Sequence, residues 1–126
     1  MEKARLALIE DDPSHIDLVE TWLAISSHEI IAKANTLSRA LDLIDSIHEH
    51  AFKRIDAIIL DGNLSLGAFM CNDAKVIYER YKLYGMTIPI IGYSNLYLCQ
   101  NGIDIEERFD LRKNPKELLR LIDTEL

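Results

Sequence analysis

Six residues stand where their types and spacing could do chemistry together: Glu10, Asp11, Asp12, Asp61, Ser94 and Lys113. Each sits just beyond a short apolar run. Glu10 to Asp12 follow residues 6–9, Asp61 follows 55–60, Ser94 follows 88–93 and Lys113 lies just past 109–111. Carboxylates that converge repel one another, which raises a pKa or calls for a cation. Magnesium suits such a place, because it is a hard ion held by one or two carboxylates, waters and a phosphate oxygen. With Asp61 as nucleophile, a hydroxyl and an ammonium opposite make the set sufficient for phosphoryl transfer. Taken singly, these residues mean less. Acids after a strand are commonly solvated or cap a helix, and Asp12, with Pro13 behind it, fits a cap. A lone serine there is usually a turn or core residue. For Glu10, Asp11 and Asp61 together the bland account fails, since burying convergent carboxylates is costly unless they are compensated.

The elements that must position these residues alternate along the chain. After the first run, Ile16, Val19, Trp22 and Leu23 recur at helical spacing. Residues 29–34 form a second strand, and Leu37, Ala40, Leu41, Ile44 and Ile47 give the cleanest amphipathic helix. The third strand, 55–60, is followed by a helix from about Asp73 that carries Ala74, Ile77 and Tyr81 on one face, with Gly85 as its C-terminal cap. Residues 88–93 make a fourth strand, 95–100 a short helix closed by Asn101 and Gly102, and 109–111 a weak fifth strand. Asn114, Pro115, Lys116 and Glu117 form a capping box ahead of Leu118, Leu119 and Ile122.

Five strands alternating with five helices predict an α/β fold with a doubly wound parallel sheet and helices on both faces. The first, third and fourth runs are nearly uninterrupted apolar stretches, as strands buried on both faces should be. The second carries Glu29 and Lys33 and the fifth is short and polar, so these are edges. The strand order 2-1-3-4-5 satisfies both conditions, and ligands bind such sheets at the carboxyl ends of the strands, beside the point where the order reverses.

Composition bounds the function. The 126 residues fit one domain, 1–126, with no output domain beside it. Hydrophobic residues make up 48%, an ordinary globular balance. A formal charge of −7 argues against nucleic-acid or anionic-membrane binding and favours a metal cation or a basic protein surface. Cys71 and Cys99 have no zinc or CxxC spacing and read as a reduced pair. The N-terminus is neither a signal peptide nor a membrane span, so the expected location is cytoplasmic. His15, His28, His48 and His50 are expected at the surface, Tyr78, Tyr81 and Tyr84 at core and rim, and Trp22 is expected to pack the first helix, on which it lies.

The stretches ALIEDDP (7–13), DAIILD (56–61) and IPIIGYS (88–94) resemble the receiver domains of two-component response regulators, and the likeness runs through essentially the whole chain. The resemblance implies that Asp61 accepts a phosphoryl group from a sensor histidine kinase or a histidine phosphotransfer protein and signals to a downstream protein partner. It implies that Glu10, Asp11, Asp61 and the backbone carbonyl of Asn63 hold Mg2+ (or Mn2+), that Ser94 bonds the phosphoryl group and moves toward it, and that Lys113 pairs with a phosphoryl oxygen. Several positions depart from the pattern. Ser65 stands where the family has proline, the loop 62–72 is long, and Asn95 replaces a small residue. The stretch 94–113 is short, and Lys113 is followed by Asn114 before Pro115. Arg112 is the alternative to Lys113, which is preferred because it abuts the helix cap. At the usual switch-aromatic position stands Asp110, with Phe109 and Tyr97 as substitutes.

Two further functions compete. A receiver-like scaffold that no longer depends on phosphate would account for the departures. A magnesium-dependent phosphatase of the haloacid-dehalogenase type would need a second aspartate two residues past Asp61, where this chain has Asn63. A flavodoxin would need a Thr/Ser/Gly-rich phosphate loop after the first strand, and that is missing.

Overall fold

Leu6 to Ile9, Ala57 to Leu60 and Ile90 to Tyr93 are buried throughout, the condition that two-sided helix cover imposes on a parallel sheet. A computed structural model of the chain describes residues 3–50, 52, 54–62 and 72–126. The elements are β1 (Arg5–Ile9), α1 (Pro13–Ile25), β2 (Glu29–Ala34), α2 (Leu37–His48), β3 (Ala57–Leu60), α3 (Asn72–Leu83), β4 (Ile90–Tyr93), β5 (Asp110–Leu111) and α4 (Pro115–Glu125). The five strands are parallel in the order β2-β1-β3-β4-β5, as the apolar patterning predicts.

Alternation along each strand divides the core in two. Leu6 and Leu8 of β1 meet Val19 and Leu23 of α1 and Leu118, Leu121 and Ile122 of α4. Ala7 and Ile9 point the other way, to Ala40, Leu43 and Ile44 of α2 and Ala74, Ile77 and Tyr78 of α3. Each fully buried Leu or Ile contributes about 1.5–3 kcal/mol relative to exposure, so this sandwich fixes the strand ends on which the site stands.

The helices start where their caps direct. Asp12 accepts the Ser14 amide at 2.9 Å, and Thr36 accepts that of Arg39 at 3.1 Å. Asn114 accepts the amides of Lys116 at 3.1 Å and Glu117 at 3.4 Å. Only half of the expected capping box forms, because the Glu117 carboxylate turns to Arg120 instead. Gly85 closes α3 at φ +67°, a backbone conformation that favours glycine.

Three expectations need correction. The third, fourth and fifth strands each start one or two residues later than the apolar runs, at Ala57, Ile90 and Asp110. The expected helix at 95–100 is a single 3-10 turn, Cys99–Asn101, and a second such turn spans Glu107–Phe109, leaving four α-helices among the described residues. The reason is a competitor for the amides. A helix starting at Asn95 would use the Leu98 and Cys99 N–H groups on carbonyls four residues back, but both donate to the Asp110 carboxylate at 3.0 Å. Third, His28 is buried. Its Nδ1 accepts the Ala4 amide at 3.0 Å, and its Nε2 lies 2.7 Å from Asp123 Oδ1. His48 and His50 are exposed and His15 half-buried, while Tyr78 is buried and Tyr81 and Tyr84 are half-buried. Among the described residues no helix is long and apolar enough to cross a membrane.

Candidate functional site

Glu10 and Asp61 leave β1 and β3 side by side. The ladder runs one residue past the strands, with the Asp61 amide on Ile9 O at 2.9 Å and the Glu10 amide on Ala34 O at 3.0 Å. That extension fixes both backbones and draws the two carboxylates under cover. Glu10 is 0% exposed and Asp61 5%, while Asp11 is half-buried. One carboxylate oxygen from each of Glu10, Asp11 and Asp61 lies within 4.8 Å of the others.

Local chemistry partly compensates this concentration of charge. Glu10 Oε2 accepts the amides of Asp11 at 3.0 Å and Asp12 at 3.3 Å, so the carboxylate shapes the turn that presents its neighbours. Lys113, almost covered, extends from the segment after β5. Its Nζ lies 3.0 Å from Glu10 Oε1, 3.2 Å from Glu10 Oε2 and 3.5 Å from Asp61 Oδ2. Burial pulls the Lys113 ammonium down, but the hydrogen bond to Glu10 and the charges of Asp61 and Glu10 outweigh it and hold the group above its ordinary value. Asp61 moves the other way from a normal carboxylate. Burial first, then the charge of Glu10, push it up to about 8, against the pull of Lys113.

One ammonium among three carboxylates leaves excess negative charge, and Glu10 Oε1 is buried without an aligned hydrogen bond despite its nearness to Lys113. A hard divalent cation answers both conditions: three oxygen donors converge, and one of them has only the Lys113 ammonium beside it among the described residues. The donor set therefore fits magnesium. Asn63, whose carbonyl is the remaining expected donor, and Ser65, in the long loop, lie outside the described residues, as does Cys71.

Ser94 follows β4, the strand next to β3, and is buried. Its amide donates to Leu111 O at 3.2 Å, and its Oγ accepts the Leu96 amide at 3.3 Å. Arg112, the alternative to Lys113, has its guanidinium 3.7 Å from the Tyr97 ring centre and its Nη2 3.7 Å from Asp110 Oδ1. Asp12 caps α1, as the proline behind it suggested.

Two features at this end of the sheet escaped the sequence reading. Tyr93 is fully buried with no partner for its hydroxyl among the described residues, and burial, then the Glu10 charge, push its phenol up to about 12. Asp110 is a buried carboxylate that fastens the segment after Ser94. The one available signal was an acid in β5 opposite Gly92, where any Cβ would lie 2.6 Å from Asp110 Oδ1.

No family model and no curated protein matches the chain. Solved structures do. The receiver domain of the PhyR response regulator from Erythrobacter litoralis superposes with a TM-score of 0.66 at 17% identity, over 98% of this chain and 89% of that one. A CheY-like response-regulator receiver domain from Methanospirillum hungatei gives 0.65 at 19% identity, over 97% and 92%. The receiver domain of the histidine kinase CKI1 from Arabidopsis thaliana, in a mutant form, gives 0.67 at 17% identity, over 97% and 91%. The chain has the fold of response-regulator receiver domains.

Proposed function

We propose that the chain is a phosphoacceptor signalling module of a two-component or phosphorelay system, one receiver domain over residues 1–126 that works in the cytoplasm. The observation that carries this reading is the trio of buried Glu10, half-buried Asp11 and buried Asp61 with Lys113 against it, at the carboxyl ends of the central strands. An Asp61 carboxylate oxygen attacks the phosphorus of a phosphohistidine on a sensor histidine kinase or phosphotransfer protein. The nitrogen–phosphorus bond breaks, the imidazole keeps the electron pair and takes a proton, and an acyl phosphate remains on Asp61. Glu10, Asp11, Asp61 and the carbonyl of Asn63 would hold Mg2+ or Mn2+, whose charge would neutralise phosphoryl oxygens. Lys113 supplies a second positive charge to them, and Ser94 a hydroxyl donor. Output is by contact with a downstream protein partner, and the chain's own chemistry is at most self-phosphorylation and self-dephosphorylation.

Acetyl phosphate with magnesium tests the reading. The wild-type chain should gain an alkali- and hydroxylamine-labile phosphoryl group, and both Asp61→Asn and excess chelator should abolish it. Labelling retained by Asp61→Asn would move the acceptor elsewhere. The lost fourth helix and the acid at the switch-aromatic position favour one second reading, a scaffold indifferent to phosphate. An unlabelled wild-type chain under these conditions would favour that scaffold.

A further inference from the structure

Asp110 opens β5, is 4% exposed, and spends both oxygens on one stretch of backbone: Oδ1 accepts the Leu98 amide and Oδ2 the Cys99 amide, each at 3.0 Å. That stretch is the continuation of Ser94. Ser94 Oγ accepts the Leu96 amide, so the segment is tied to itself at one end and to β5 at the other. Gly92 makes the tie possible, because it faces Asp110 in register and a Cβ there would collide with the carboxylate.

Two residues on, Arg112 is arranged at odds with its chemistry. Its guanidinium lies against the Tyr97 ring, and its Nε and Nη2 are buried with no hydrogen-bond partner among the described residues. Nη2 is 3.7 Å from Asp110 Oδ1, beyond hydrogen-bond reach. Buried donors of a charged group left unpaired are expensive, and a carboxylate this near would satisfy them if it were released. The carboxylate thus has two partner sets, the loop amides it hydrogen-bonds and the guanidinium it meets only at ion-pair distance.

On the phosphoacceptor reading above, we infer that Asp110 is a positioning residue for Ser94, holding its loop in the resting place through the Leu98 and Cys99 amides and exchanging them for Arg112 when Ser94 is drawn to the phosphoryl group. The half-exposed Tyr97, which rests on the guanidinium and belongs to the loop, changes place in that exchange and carries it to the surface.

The test uses the full chain, isotope-labelled, with beryllofluoride and magnesium as the phosphoryl mimic. In the resting protein the Leu98 and Cys99 amides should resonate downfield and exchange slowly. Saturation with the mimic should move both upfield and speed their exchange, while the Arg112 Nε–H moves downfield. Arg112→Met should leave the resting Leu98 and Cys99 resonances in place and, because it removes unpaired buried donors, should give a thermal midpoint no lower than that of wild type. It should raise the mimic concentration needed for half-saturation roughly five- to tenfold, the size of an ordinary coupling between sites, and Arg112→Lys should restore part of the loss. If the Asp61 amide responds to the mimic while Leu98 and Cys99 stay fixed, or if Arg112→Met titrates like wild type, the exchange is wrong and the acceptor reading stands. If the Asp61 amide itself is silent at saturating mimic, the acceptor reading falls and this inference falls with it.

Discussion

At the scale of single residues, Asp61 holds two opposed requirements. It must be ionised to attack, yet it is buried beside Glu10, which pushes its carboxyl up to about 8 from an unperturbed 3.8. Between those values the folded chain keeps a proton that the unfolded chain releases. The contribution of this group to stability is therefore largest below the lower value and is lost as pH rises through the upper one. Asp61→Asn removes the dependence. In chelator-containing buffer near pH 9 the variant should be more stable than wild type by ~3 kcal/mol, the scale on which buried charge is relieved. The gap should narrow as pH falls toward 4 and shrink again when magnesium is added at high pH. Urea midpoints of both proteins across that range check this, and a gap that widens on acidification would reverse the assignment. The acids of this site were legible in the sequence because they interrupt apolar runs at the ends that matter. Asp110 and His28 were not. Their burial depends on partners at Leu98, Cys99, Ala4 and Asp123, distant in sequence, that no local pattern announces.

Elements were legible in proportion to how far local signals agreed with tertiary packing. α1 and α4 have caps the sequence displays in Asp12 and Asn114, α2 has its apolar spacing, and the strand order followed from which runs were apolar without interruption. The stretch between β4 and β5 failed this test, since its two key amides are claimed by Asp110 rather than by their own helix. Gly92 and Asp110 therefore form one structural unit. Gly92→Ala places a methyl 2.6 Å from Asp110 Oδ1, 3.1 Å from Leu98 Cδ1 and 3.3 Å from Ile105 Cδ1. It should destabilise the fold by about 1–3 kcal/mol, the usual penalty for overpacking. In an Asp110→Ala background the closest of these contacts is gone, so the added cost of Gly92→Ala should fall by about 1 kcal/mol or more in a double-mutant cycle. Additive costs would mean that glycine is required there for some reason other than room for the carboxylate.

At the scale of the whole molecule, identities of 17–19% accompany superposition over nearly the entire chain, so what these proteins share is pattern rather than residues. In this chain the pattern is closed by a contact between distant segments. His28, at the end of the α1–β2 turn, joins the start of β1 through the Ala4 amide and the last helix through Asp123. Because Nδ1 accepts from a backbone N–H, the ring proton belongs on Nε2, where it donates to Asp123. The two halves of this staple differ in worth. The Ala4–His28 bond is buried, so His28→Phe, which keeps a ring in place, still strands a backbone donor and should cost about 1–3 kcal/mol. Asp123 is 43% exposed at its side chain, and solvent can replace its partner, so Asp123→Ala should cost less than about 1 kcal/mol. Urea denaturation of the two variants measures both. Amide exchange at Ala4 separates the mechanisms, since only His28→Phe should open it. If Asp123→Ala proves the costlier change, the pairing with α4, and not the buried backbone bond at β1, is what fastens the two ends of the chain together.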